Sequence, residues 1–282
     1  MSITQWLTST HINPCPYKKF GLTDLSEHLV INPNNLDDPI VSYIGNLLIN
    51  SHGDPRMIAD DIAMLLEDTE MLKLDIVEAH IKNNVLPGKD KQSTRIGNFG
   101  EILAVQCLID FEDFEFPIYK LRYREKRNWA MRLTDLFLVK KQNNGRMLIC
   151  YGEVKTRSGV SYTSSIKKVA IDAHESLKKD DSVANPEILA FARNILYAQG
   201  KVEEAQILGK IQLKKIKYDV IHILFLIHDN SNWKEEILTE LEQHDIDQRL
   251  ENLNVNVLRI NKLRKLIDQT YENAWRGVVP NA

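Results

Sequence analysis

Cysteine is scarce in this 282-residue chain: Cys15, Cys107 and Cys150 are the only three, far apart and without a CxxC pair. That spacing offers neither a zinc ribbon nor a disulfide framework, and it suits a reducing cytoplasm. Long apolar runs are lacking too. The longest, such as "DVIHILFLIH", are too short to span a bilayer. The opening "MSITQWLTSTHINPCPYKK" lacks the charged-then-apolar layout of a signal peptide. The expectation is a cytoplasmic protein with no zinc and no membrane contact. Nor does one sign of charge dominate: 36 Lys and Arg face 39 Asp and Glu, for a net charge of -3. The chain as a whole is not a polycation, so any binding of nucleic acid needs a local basic surface. No repeat, low-complexity tract or base-reading motif stands out, and weak sequence specificity is the expectation for such binding.

What is present is an ordinary supply of core and surface. The chain is 43% hydrophobic and 27% charged, enough for one large domain or a domain with an appendage. Residues 1 to about 55 are rich in turn formers ("HINPCPYKK", "INPNNLDDP", "NSHGDP") and read as irregular, with short helices or strands. Pro55 to about Val85 is helical in pattern, with Ile58, Ile62, Leu65 and Leu66 at helical spacing. "NNVLPGKDKQS" reads as a boundary loop. The expected division is therefore an N-terminal, mostly helical and irregular appendage (1–90) and a second unit (91–282).

In the second unit, Ser93 or Thr94 suits the cap of a helix running to about Phe111. Three strands follow: "PIYKLRYREK", "LTDLFLVKK" and, after a turn at "QNNGR", "MLICYGEVKT". Helical patterns cover Ser164–Lys179 and Pro186–Lys215. "YDVIHILFLIHD" reads as a strand buried on both faces. A helix from Trp233 to His244, the strand "VNVLRI" and a helix from Lys262 to Trp275 complete the order. Alternating elements of this kind predict an α/β fold with a mixed sheet flanked by helices.

One tripeptide carries chemistry. Glu153-Val154-Lys155 is the sole [DE]-x-K in the chain, and it ends an apolar strand. Strand alternation puts Glu153 and Lys155 on one face. If Asn143–Gly145 turns the chain into a hairpin, Asp135 at the start of the preceding strand becomes their neighbour. Two carboxylates and a lysine would then converge, a donor set that suits a hard cation and charge developing on phosphate. The same spacing also fits a plain Glu–Lys pair at an exposed strand end. Glu101 stands among small and apolar helical neighbours (Gly97, Asn98, Ala104, Val105, Leu108). A carboxylate there must be neutralised, paired or metal-bound, or it simply answers the helix dipole.

A helix with Glu, then strands carrying D…E-x-K, then a helix, resembles the core of the PD-(D/E)xK nuclease superfamily, restriction-endonuclease-like in fold. "GNFGEILAVQCL", "KLRYREKRNWAMRLTDLFLV" and "YGEVKTRSG" look like the HamA family, the nuclease effectors of Hachiman antiphage defence, which work with a helicase, HamB. The usual Pro before the Asp is Thr134 here. The resemblance implies a metal-dependent deoxyribonuclease. Asp135 and Glu153 would hold Mg²⁺ or Mn²⁺ with help from the Val154 carbonyl. Lys155 would act on the attacking water, and Glu101 would serve a second ion or its water shell.

The segment "KLRYREKRNWAMR" holds six basic residues and one acid. As a strand it aligns Lys120, Arg122, Arg124 and Lys126 on one face, with Arg127 following, a track for phosphates or a guarded sheet edge. Lys167 and Lys168, on the helix after the site, could add to it. His222 and His228 read as core or strand-end histidines rather than ligands. Two functions stay in competition. One is a DNase acting on DNA with a helicase subunit. The other is a non-catalytic DNA-binding or interaction subunit that keeps the nuclease fold. A self-sufficient restriction-type nuclease lacks a visible recognition domain.

Overall fold

The computed structural model describes residues 2–12, 20–29, 31, 38–67, 73–115, 120–123, 134–179, 186–250 and 252–278. Among them the strands are β1 (Leu7–Ile12), β2 (Gly21–Glu27), β3 (Leu136–Lys141), β4 (Met147–Arg157), β5 (Tyr218–Asp229) and β6 (Asn254–Ile260). They form one mixed sheet in the order β1-β2-β6-β5-β4-β3. The run "YDVIHILFLIHD" becomes β5, paired in parallel with β4 on one side and β6 on the other. Its near-continuous apolar sequence is what a strand covered on both faces requires. Ile223, Phe225 and Ile227 enter one core; Leu224 and Leu226 enter another.

Helices cover both faces. On one lie α1 (Pro39–His52), α2 (Pro55–Glu67), α3 (Lys73–His80), the 21-residue α4 (Gln92–Glu112) and α10 (Leu263–Asn273). On the other, α5 (Ser164–Lys167), α6 (Val169–Lys179) and α9 (Glu236–Gln243) pack over β2, β5 and β6, while α7 (Pro186–Ala198) and α8 (Val202–Gln212) pack over β3 and β4. The α/β architecture with a mixed sheet between helices is as expected.

Two expectations change. The first ninety residues do hold helices, but they also supply β1 and β2, and β2 pairs in parallel with β6 through the register Gly21↔Asn254 to Ser26↔Arg259. The expected division at residue 90 therefore does not coincide with a division of the sheet. Sequence reading missed this because β2 ("GLTDLSE") is short and sits between turn-rich stretches. Its partner strand lies more than 200 residues away. The second change concerns "KLRY". Lys120–Tyr123 is a 3₁₀ helix, not part of a strand. The Arg122 guanidinium Nε donates to the Asn50 carbonyl of α1 at 2.5 Å. Lys120 and Arg122 therefore do not follow one another along a strand as expected. Arg124, Lys126 and Arg127 lie outside the described residues.

Candidate active site

β3 and β4 form an antiparallel hairpin whose turn contains Gly145 at φ +78°. That left-handed conformation favours glycine, and it explains the turn expected at Asn143–Gly145. The register pairs Leu136 with Gly152. Asp135, one residue before, consequently faces Glu153, one residue after. A strand of eleven residues, most of them buried, carries Glu153 and Lys155 to the sheet end on the face covered by α6.

The geometry there is specific. Asp135 Oδ2 accepts the Val154 backbone N–H at 3.0 Å, which fixes that carboxylate against the strand end. Lys155 Nζ lies 2.5 Å from Glu153 Oε1 and donates to Ser176 Oγ of α6 at 3.3 Å. Glu153 is only 8% exposed. A carboxylate so buried demands compensation, and Lys155 supplies it. Thr134, in the place where Pro was the usual residue of the resembling motif, donates from Oγ1 to the Gly152 carbonyl at 2.8 Å. This bond fastens the start of β3 to β4 beside Glu153, so the threonine anchors the hairpin by a hydrogen bond rather than by a fixed φ.

Glu101 has a different position. Its neighbour Gly100 meets Thr156 and Val154, the residues of β4 that point away from Glu153 and Lys155. Glu101 thus rides on the helix behind the strand. Its Oε2 is shut off from solvent. The structure brings together Asp135, Glu153 and Lys155, and holds Glu101 on the opposite side of β4.

The lysines assigned to a phosphate track divide. Lys167 Nζ makes ion pairs with Glu236 (2.8 Å) and Glu240 (2.9 Å), joining α5 to α9. Those two carboxylates raise its pKa, chiefly through the hydrogen bond that Lys167 donates to Glu236. Lys167 is therefore engaged within the fold and is not a phosphate ligand as it stands. Lys168 is exposed. His222 and His228 are fully buried in β5, as expected of core histidines.

Two residues escaped sequence reading. Ser176 gave no signal, because only helix packing brings it to Lys155. Arg157 did give one: it lies two residues after Lys155, on the same strand parity, in the stretch "YGEVKTR". Elsewhere, His174, Glu175 and His244 cluster between α6 and the end of α9. His174 Nε2 accepts the Asp247 backbone N–H at 3.2 Å, so Nδ1 carries the proton and donates to Glu175 Oε1 at 3.2 Å. His244 Nε2 lies 3.0 Å from the same oxygen. This is a hydrogen-bond relay that ties α6 to the 244–247 loop.

The donor set beside Lys155, two carboxylates facing each other across a hairpin, is of the kind that suits a hard divalent cation. No helix among the described residues is long and apolar enough to cross a membrane. A family model described as HamA matches residues 5–274, on both sides of residue 90. No curated protein matches the chain.

Proposed function

The chain belongs to the HamA family and is a component of Hachiman antiphage defence; on that premise we propose that it is a metal-dependent deoxyribonuclease with a restriction-endonuclease-like core, acting with a helicase subunit of the HamB kind. The observation that carries this reading is the convergence of Asp135, Glu153 and Lys155 at the end of the β3–β4 hairpin. Asp135 and Glu153, with the Val154 carbonyl, would hold Mg²⁺ or Mn²⁺, which supplies Lewis-acid stabilisation of the phosphate and a more acidic water. Glu101, on α4, would serve a second ion or its water shell.

The protein's own groups do the rest. The Val154 N–H orients Asp135. Ser176 holds the Lys155 ammonium toward Glu153. A cation in that place can orient the attacking water and offset negative charge building on the phosphoryl oxygens. In the present arrangement Lys155 covers the buried charge of Glu153. With a cation held by Asp135 and Glu153, the Lys155 ammonium would be free to act on the attacking water or the phosphate.

The Lys155–Glu153 ion pair is also what a purely structural strand end would display, so the non-catalytic DNA-binding subunit is the second reading. Replacing both residues with Ala decides between them. Mg²⁺-dependent cleavage of linear or circular DNA should fall to background while DNA binding persists. Undiminished cleavage would remove the site from these residues. Asp135→Asn keeps an acceptor for the Val154 N–H but loses the charge, and should lower cleavage by about 10²–10⁴-fold with the fold intact. Activity in the parent should disappear with EDTA.

Association with the helicase draws support from an exposed apolar face on the N-terminal helices. Met57 (66% exposed), Met64 (59%) and Leu65 of α2 lie bare, as does Leu74 of α3. Met57 and Met64, seven residues apart, share one face of α2, and together they would offer a partner two apolar anchors.

A further inference from the structure

Beyond the catalytic strand end, β4 runs out into a groove of about 480 Å³. Thr156, Arg157, Ser158, Ser161 and Thr163 line it from the strand and the loop that follows, and Arg264 of α10 closes the far side. Its lining offers hydroxyls and two guanidinium groups, and no carboxylate.

One of these groups lacks an ion-pair partner among the described residues. Arg157 is half-buried, yet among the described residues it has no carboxylate within ion-pair distance; its side chain donates only to the Thr156 carbonyl, at 3.2 Å. A guanidinium taken out of water without a directly paired anion is unfavourable, and burial pushes its pKa down against the longer-range pull of the Asp172 carboxylate.

The walls are held in place independently of any ligand. Asn232 Nδ2 donates to the Arg157 carbonyl at 3.0 Å and also to the Gly159 carbonyl. Ser231 Oγ donates to the Val160 carbonyl at 3.2 Å. Arg264 is braced by Gln92 (2.8 Å) and Asp268 (3.0 Å). A preformed guanidinium with no ion-pair partner among the described residues suits a ligand rich in anionic oxygens. Continuity with the catalytic strand says where that ligand comes from. Arg157 is four residues beyond Glu153, roughly 13 Å along a strand, within a few nucleotides of a backbone crossing the site.

We propose that this groove is a phosphate-binding subsite, with Arg157 as its principal ligand, that holds the DNA backbone beside the phosphodiester to be cut. The assignment rests on the nuclease reading above for the identity of the anion as DNA.

Its test measures binding rather than turnover. Fluorescence anisotropy of the full-length protein with labelled single-stranded and duplex oligonucleotides in EDTA, across a salt series, reads the contact directly. Arg157→Gln should weaken binding about tenfold and lower the salt slope by about 0.7–0.9, the value of one phosphate contact. Arg157→Lys should keep the slope and regain part of the affinity. Ser161→Asp, at an exposed position on the groove wall, should weaken binding without altering the strand, and circular-dichroism melts check that each variant folds. Unchanged affinity and slope in both Arg157→Gln and Ser161→Asp overturn the subsite. Inorganic phosphate is the second arm. If it binds the parent but not Arg157→Gln, and oligonucleotides neither bind nor compete, the groove serves a free anion and the DNA assignment is overturned. Cleavage assays separate the two claims. DNA binding that depends on Arg157, with no cleavage under any condition, supports the subsite and removes the nuclease reading. Cleavage with the same KM in parent and Arg157→Gln keeps the nuclease and removes the subsite.

Discussion

His228 sits beneath Arg157 in the β4–β5 register, with Trp233 edge-on at 5.1 Å between ring centroids. Its Nδ1 lies 2.8 Å from Asn232 Oδ1, an acceptor, so the proton resides on Nδ1. Burial lowers its pKa to about 4, and the Arg157 charge pushes the same way against the help of Asn232. In the unfolded chain the same imidazole titrates near 6.5. Between those values the unfolded state binds more protons, so stability falls as pH drops from about 6.5 to about 4, by on the order of 3 kcal/mol from this group. Above pH 6.5 the effect vanishes. His174, whose pKa burial also depresses, adds in the same sense. Urea titrations at stepped pH should show the decline, and His228→Gln should flatten part of it. A parent protein equally stable at pH 7 and pH 4.5 would refute the assignment. Asn232 serves both this histidine and the groove wall, so acid that protonates His228 should also loosen the loop around Arg157.

At the scale of elements, the packing of α4 on β4 decides how closely the helix behind the site approaches. Gly100 lacks the Cβ that would run into Thr156 Oγ1 and lie 3.5 Å from Val154 Cγ1. Gly100→Ala gains about 1 kcal/mol of helix propensity but overpacks a tight contact, at a cost of about 1–3 kcal/mol. The expected net loss is about 1 kcal/mol by chemical denaturation. Thr156→Ala removes the clashing hydroxyl, so the double mutant should be more stable than the sum of the two singles predicts. Additive effects would mean that the helix shifts freely instead. The same element illustrates what sequence could show. The small and apolar neighbours of Glu101 correctly marked a buried helix face. They could not say that the face meets the back of β4, because periodicity fixes a face and not its partner. "KLRYREK" shows the opposite failure: its alternation predicted a strand, but Lys120–Tyr123 is a 3₁₀ helix docked on α1 through Arg122.

For the whole molecule, the contribution of β1 and β2 to the sheet changes how partner binding must be tested. Deleting residues 1–90 would strip β2 from β6 and expose an apolar edge, along with the faces of α4 and α10 that α1 covers. The fragment 91–282 should therefore be insoluble or unfolded, which circular dichroism and size-exclusion chromatography would reveal; a folded monomer would contradict it. Surface substitution is the cleaner probe of docking. Met57→Glu with Met64→Glu alters two exposed positions and should leave the thermal melt within about 0.5 kcal/mol of the parent, while abolishing co-purification with the helicase subunit. Retained association would move the docking surface off α2.

The sequence by itself determined most classes of element and the grouping of charged residues at the strand end. β5 was legible because a strand buried on both faces must be apolar throughout. The β3–β4 hairpin was legible because an Asn-Asn-Gly turn and two apolar runs dictate it, and Glu153-x-Lys155 followed from strand alternation. The tertiary structure decided what depends on distant chain segments. It paired β2 with β6, brought Ser176 to Lys155, and set Glu101 behind β4. It also gave Lys167 to two glutamates of α9 and left Arg157 without a carboxylate at ion-pair distance among the described residues. The physical reason is common to all of these. A residue's type and periodicity record which environment it needs, whereas its partner is selected by a fold that joins segments tens to hundreds of residues apart.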